Sequence, residues 1–217
     1  MQVKLFHGDY KENQMNIAII GSGNIGSALG LHWKNAGHQV MIGVRDRNTF
    51  KGKEFADIHS ISIDSIEKAT QTSDVILLAI PPMAISSVIT MMGEVEGKVI
   101  IDASNSISSK PDSYPTIYHV LIDKTKADIV KCFNSTGYEN IINPKYGDIA
   151  IDMFMAGENQ RAKDIARILA LDCGFERCID IGGSDKVQLL ESMALAWINL
   201  AIMQKMGRNI AFKILDR

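Results

Sequence analysis

The sequence predicts an α/β fold: a doubly wound parallel sheet followed by a small C-terminal α/β-to-helical segment. Three observations predict it. Short runs rich in Ile and Val recur along the chain with little polar alternation, as strands covered on both faces require. Amphipathic stretches separate these runs, the alternation that wraps a parallel sheet in helices. A glycine-rich turn, Gly21-Ser22-Gly23-Asn24-Ile25-Gly26, joins the first run to the first amphipathic stretch.

Taken in order, residues 1–14 are polar and lack the continuous apolar stretch of a secretory signal, so they are expected to be a disordered extension outside the fold. The first strand is expected at 16–20 and the first helix at 24–36, where Gly37 supplies a left-handed turn back into a strand at 39–44. A helix at 49–56, a strand at 58–61 and a helix at 65–71 follow. The strand at 74–80 is stopped by Pro81 and Pro82 before a helix at 83–92. Strands at 98–102 and 128–133 flank a weaker helix at 117–124. Residues 134–148 hold Gly137, Pro144 and Gly147 among Asn and Tyr, and read as a long irregular loop of the kind that is more often functional than idle. Beyond it come a strand at 151–156, a helix at 159–172 and a strand at 176–181. Gly182-Gly183 then breaks the chain, and Ser184 can cap a long helix running towards Met206. Within it, residues 193–203 are bracketed by Glu191 and Gln204 and read as a buried helix.

Composition narrows the function. The 217 residues carry 23 basic against 25 acidic side chains, a net charge of -2, which argues against a general binder of nucleic acid or membrane surfaces. No apolar run reaches the roughly 20 residues a membrane span needs. Cys132, Cys173 and Cys178 follow no metal-finger spacing and are expected as buried free thiols in a reducing cytoplasm. The five histidines are scattered, so no metal site is expected.

The glycine turn has the context that gives G-x-G-x-x-G its meaning: a strand before, a helix after and a second strand about 20 residues on. Gly21 allows the tight turn, Gly23 lets a pyrophosphate approach the backbone, and Gly26 lets the helix pack on the sheet. Ser22, Asn24 and Ile25 complete the turn that would set the pyrophosphate on the helix N-terminus. Residues 15–134 are therefore expected to be an NAD(P)-binding Rossmann domain, with 135–217 a small segment that packs on the site. The second strand ends in Val44-Arg45-Asp46-Arg47. Arg45 offers a planar fork for a 2′-phosphate, whereas Asp46 would suit ribose hydroxyls if it swings in. The balance favours NADP(H) over NAD. Arg47 and Lys51 are read as solvated charges.

In such sheets the ligand lies beyond the carboxyl ends of the strands. Ile80 and Pro81 follow the fourth strand, Ser104 and Asn105 the fifth, Phe133 and Asn134 the sixth. Ile80, Pro81 and Asn105 are expected to meet the nicotinamide half of the cofactor, and Ser104, Phe133 and Asn134 a second ligand. Asp102 is the one charged group there, and strand-end aspartates more often orient backbone. No acid–base pair emerges, so no catalytic side chain is assigned. The site leans towards hydride passage between two cofactors held in the right geometry.

These residues resemble the NADPH-dependent reductases of coenzyme F420, an 8-hydroxy-5-deazaflavin. The resemblance runs from Met15 to the C-terminus and rests on the glycine turn, Gly43-Val44-Arg45, Ala79-Ile80-Pro81 and Asp102-Ala103-Ser104-Asn105. It continues through Lys131-Cys132-Phe133-Asn134, Asp152 to Gly157, Leu189 to Met193, and Trp197 to Leu200. It implies NADP(H) as cofactor and coenzyme F420 or a flavin as co-substrate. Two departures stand out: Val44 replaces the family's Ser or Thr, and Asn134 the His of deazaflavin-using members. The acceptor is left open between a deazaflavin and a flavin. A similar domain occurs in membrane ferric reductases. Two other readings remain: a dehydrogenase or reductase of a small hydroxy acid or imine, and a non-catalytic NADP(H)-sensing module. Against the first, the Lys-x-x-x-Asn motif of the β-hydroxyacid dehydrogenases is absent, because Leu190 stands four residues after Lys186. A homodimer built on the apolar helix at 194–203 is expected.

Overall fold

The computed structural model describes residues 14–217. Of the extension expected at 1–14, all but Gln14 lies outside the described residues. The first half builds β1 (Asn16–Ile20), α1 (Asn24–Asn35), β2 (Gln39–Val44), α2 (Lys53–Ile58), β3 (Ser62–Ser65) and α3 (Ile66–Gln71). It goes on through β4 (Val75–Leu78), α4 (Ile85–Met92), β5 (Val99–Asp102), α5 (Ile117–Lys124) and β6 (Asp128–Cys132). The second half adds α6 (Tyr138–Ile142), a hairpin of β7 (Lys145–Tyr146) and β8 (Ile149–Ala150), β9 (Asp152–Ala156), α7 (Gln160–Asp172), β10 (Arg177–Asp180) and α8 (Val187–Ile198).

Eight strands form one sheet in the order β10-β9-β6-β5-β4-β1-β2-β3. β1 is paired in parallel with β2 on one side and β4 on the other, so the strand order reverses at its carboxyl end. That reversal opens the crevice where doubly wound sheets bind ligands. β9 joins the edge antiparallel to β6, and β10 continues parallel to β9, so the second half extends the same sheet. Burial follows the expected strand chemistry: β4 and β5 are buried at every position. One face of the sheet packs Trp33 of α1 and Leu169 of α7, joined by the Trp33 indole N–H donating to the Leu169 carbonyl at 3.0 Å. The other face is covered from α3, α4, α5 and α8.

Five local expectations are corrected. The third strand lies at Ser62–Ser65, because Ile58 ends α2 and Ser60 turns the chain with φ 51°. β3 is a half-exposed edge strand and does not need the apolar run that was read as a strand. α2 starts at Lys53, later than expected, after a turn at Asp46–Thr49 and Gly52 with φ 89°. The stretch 134–148 is not irregular: it holds α6, β7 and the turn of the hairpin, which uses Gly147 at φ 63°. Asn140 anchors it, donating to Thr136 at 2.8 Å and the Ile210 carbonyl at 2.6 Å. Ser184 does not cap the last helix; its hydroxyl donates to Glu158 at 2.8 Å. Nor is that helix buried all round. Past α8 it continues as a π-helical turn to Met203, leaving Leu195 50% and Met203 69% exposed.

The three cysteines are free and buried, with Cys132 and Cys178 Sγ 3.7 Å apart. Burial pushes the Cys132 and Cys173 thiols above their ordinary range, which makes them poor nucleophiles.

The C-terminal tail is clamped onto the sheet through Asp152, whose side chain is fully buried. Arg177 donates to both of its oxygens at 3.0 and 2.8 Å, and the Ile214 N–H donates at 2.9 Å. Burial alone would raise this carboxyl's pKa, but the Arg177 and backbone bonds outweigh burial and hold it below the ordinary value. Its stabilising contribution is therefore complete above the unfolded carboxyl's value of about 3.9 and is lost as pH falls through the lower folded value. Asp152→Asn is expected to cost about 3 kcal/mol at pH 7, measured by urea unfolding, and progressively less as the pH is lowered into the acid range. An equal loss at neutral and acid pH would show that packing, not charge, holds the tail.

Candidate dinucleotide and acceptor site

The buried run from Ile17 to Ile20 carries β1 into the crevice. There Gly21 takes φ 108°, and a Cβ on it would lie 2.2 Å from the Ala79 carbonyl oxygen. A Cβ on Gly26 would lie 2.1 Å from the Gly21 carbonyl. Both glycines are required by the protein's own close approach. Gly23 differs: no atom lies within 4 Å of its missing side chain, so it opens on free space. It also caps α1 without any side-chain hydrogen bond, which leaves the first-turn N–H groups free for an anion. A cradle shaped this way fits a pyrophosphate.

A cavity of about 740 Å³ opens from this turn, walled by Gly21 to Gly23, Gly43 to Asp46, and Ala79 to Pro81. Gly21, Ser22, Gly23, Arg45, Ile80 and Pro81 are thus brought together on one wall. The Asp46 carboxylate is engaged within its own loop, accepting from the Thr49 hydroxyl at 2.7 Å and the Asn48 N–H at 2.8 Å. Those bonds, Thr49 first, lower its pKa. Arg47 pairs with Asp64. Arg45 is exposed on the cavity wall and has no ion-pair partner among the described residues. Lys51, read as a solvated charge, also lines the cavity, and its carbonyl accepts a bond from the Ser22 hydroxyl. Sequence reasoning missed Thr49, Phe50, Ile66, Ser87 and Val88 on this wall. Only the crevice rule could have pointed to them, since they form no motif.

Asn24 lines a second cavity of about 400 Å³, between α1, Phe55 and Tyr138, which shares Ser22, Gly23 and Lys51 with the first. Ile25 and Gly26 support the turn from within α1.

The residues expected to hold a second ligand are placed differently. Phe133 is fully buried at φ 64°, its ring edge-on to Trp33 at 5.8 Å, so it is core and offers no stacking face. The Ser104 hydroxyl is committed between β4 and β5, donating to the Leu78 carbonyl and accepting from the Ile80 N–H, both at 3.3 Å. Asn134 is 2% exposed and donates to Asn105 Oδ1 at 3.1 Å and the Leu190 carbonyl at 3.4 Å. Its own Oδ1 is buried without a partner. Asn105 is half-buried above this floor. Direct contact by Ser104 and Phe133 is corrected to support of the site from below.

Residues 16–106 match the sequence profile of a family described as NADP oxidoreductase, coenzyme F420-dependent. The F420-dependent NADP reductase of Methanothermobacter marburgensis is 27% identical over 92% of this chain and 98% of its own. Over most of its length the chain is similar to the F420-dependent NADP reductases. Among solved structures, a protein from Arthrobacter sp. FB24 described as an F420-dependent NADP-reductase superposes with a TM-score of 0.83 at 20% identity, covering 93% of this chain and all of that one. An imine reductase from Myxococcus stipitatus in complex with NAD+ gives a TM-score of 0.66 at 14% identity, over 89% of this chain and 63% of its own. Both structural likenesses speak to the fold. The family profile ends at residue 106, so it spans the glycine turn, Arg45, Ile80, Pro81 and Asn105 but not Phe133 or Asn134.

Proposed function

We propose that the chain transfers hydride between NADPH and a deazaflavin, coenzyme F420, or a flavin-like acceptor. That it is an NADP(H)-dependent oxidoreductase rests on its kinship with the F420-dependent NADP reductases. The observation that carries the choice of NADP is on the cavity wall: Arg45 has no ion-pair partner among the described residues and stands beside the glycine cradle, while the Asp46 carboxylate is held by its own loop. In this reading Gly21 to Gly26 hold the pyrophosphate, Arg45 the 2′-phosphate, and Ile80, Pro81 and Asn105 the nicotinamide half. NADPH supplies the hydride. The chain's part is to bind, to orient and to exclude water, with Asn134 and Ser104 fixing the floor beneath Asn105.

The test follows NADPH absorbance with purified protein and oxidised coenzyme F420, FMN or riboflavin in separate runs. Rapid bleaching of the deazaflavin is expected. Tight NADPH binding with no acceptor reduced would sink the transfer reading and favour a sensing module.

Among the described residues no helix is long and apolar enough to cross a membrane. A cytoplasmic place fits the three unpaired buried thiols. A homodimer is part of the same proposal, with the segment 135–217 supplying its surface. Leu189, Leu195, Ile202 and Met203 are 52%, 50%, 46% and 69% exposed along the last helix, an apolar stripe suited to a second copy. Light scattering is expected to give a dimer mass for the wild type and a monomer mass for Leu195→Glu. A monomeric wild type would refute it.

A further inference from the structure

Three charged side chains are buried together where β5, β6 and α8 meet. Lys131 and Asp102 are completely buried and Glu191 is 3% exposed. Lys131 Nζ lies 2.9 Å from Asp102 Oδ2 and 2.9 Å from Glu191 Oε1, the second contact close but not aligned as a hydrogen bond. Each residue also grips one short stretch of backbone. Asp102 Oδ1 accepts from the Ser104 N–H at 2.9 Å, Lys131 donates to the Ser104 carbonyl, and Glu191 Oε2 accepts from the Ser106 N–H at 2.9 Å. The turn at 104–106 is therefore held on both sides of Asn105.

Burying three charges is costly, and an apolar cluster would pack the same junction without that cost. Packing alone does not account for them. Burial would discharge Lys131, but the two carboxylates outweigh it and keep the lysine protonated. Two acidic side chains against one lysine give the cluster a formal charge of -1. His119 nearby is pushed below its ordinary value by burial and adds no positive charge at neutral pH.

We propose that Asp102, Lys131 and Glu191 are positioning residues that lock the 104–106 turn beneath the nicotinamide and set a negative potential there favouring its oxidised, cationic form. The inference rests on the dinucleotide reading above. Loss of hydride gives the nicotinamide ring a positive charge, so a fixed negative potential assists donation from NADPH without any proton transfer by the chain.

The test measures binding, not turnover. NADPH is titrated by fluorescence and NADP+ by competition, for wild type, Glu191→Gln and Glu191→Asp. Glu191→Gln is expected to weaken NADP+ relative to NADPH by about five- to tenfold, as loss of one nearby charge at an effective dielectric of ~20–40 implies. Glu191→Asp keeps the charge and displaces it, so both affinities are expected to fall while their ratio stays within about twofold of wild type. Should Glu191→Gln fail to fold, Asp102→Asn removes the same charge from the other side, and the ratio is read there. Equal weakening of both forms, or an unchanged ratio, overturns the proposal and leaves the cluster a structural brace. A wild type that binds neither form overturns the dinucleotide reading itself.

Discussion

Arg45→Gln is expected to raise the Kd for NADPH about 30-fold while leaving that for NADH within about twofold, since a charge-assisted bond to phosphate contributes roughly 2 kcal/mol. The effect is selective because only NADPH carries the 2′-phosphate, and glutamine keeps a polar side chain, though a shorter one, without the charge or the fork. The structure makes Arg45 the decisive group by removing its competitor. Asp46 accepts from Asn48 and Thr49 within its own turn, so its carboxylate is not free to take the ribose hydroxyls. Arg47 is paired with Asp64 and cannot substitute without breaking that pair. Isothermal titration of both cofactors decides the matter: an equal loss for NADPH and NADH would move the 2′-phosphate away from Arg45, with Lys51 next in line on the same wall.

Two glycines of the turn, only two residues apart, are expected to fail in opposite ways. Gly21→Ala places a Cβ 2.2 Å from the Ala79 carbonyl at φ 108°, where nothing can yield without parting β1 from β4. A loss of about 3 kcal/mol or more is expected in urea unfolding. Gly23→Ala meets no atom within 4 Å and sits at φ -74°, a value alanine adopts freely. Its melting temperature is expected to match wild type while NADPH affinity falls by about tenfold or more, because the added methyl occupies the path of the pyrophosphate. Normal cofactor binding by a folded Gly23→Ala protein would mean the pyrophosphate does not cross this turn.

The parts of the site legible in the sequence are those whose chemistry is local. Gly21, Gly23 and Gly26 announce themselves through spacing between a strand and a helix, and Pro81 through the break it marks between β4 and α4. Ser104 and Phe133 were legible only as residues at strand ends. Whether such a side chain faces ligand or core depends on partners distant in sequence. Phe133 is turned onto Trp33 by a positive φ that no sequence pattern signals. The Ser104 hydroxyl is taken by Leu78 and Ile80, 26 and 24 residues away. The helix α6 and the start of the hairpin inside 134–148 escape the sequence for a similar reason: the Gly and Asn residues there read as loop, and Asn140 anchors the stretch by reaching the tail at Ile210, 70 residues on.

By itself the sequence determined the alternation of strands and helices and the dinucleotide cradle at the end of β1. Each follows from periodicity, apolar runs and glycine spacing within a few tens of residues. Only the tertiary structure decided which charges at the site are free and which are spent. Arg45 and Asp46 are neighbours in sequence, yet a two-residue Asx turn removes one of them from competition. Glu191 lies 85 residues from the Ser106 N–H it holds, and α8 must fold over the sheet before Lys131 and Asp102 become a buried triad. Electrostatic roles depend on distance and burial, and those are properties of the packed chain that no local pattern encodes.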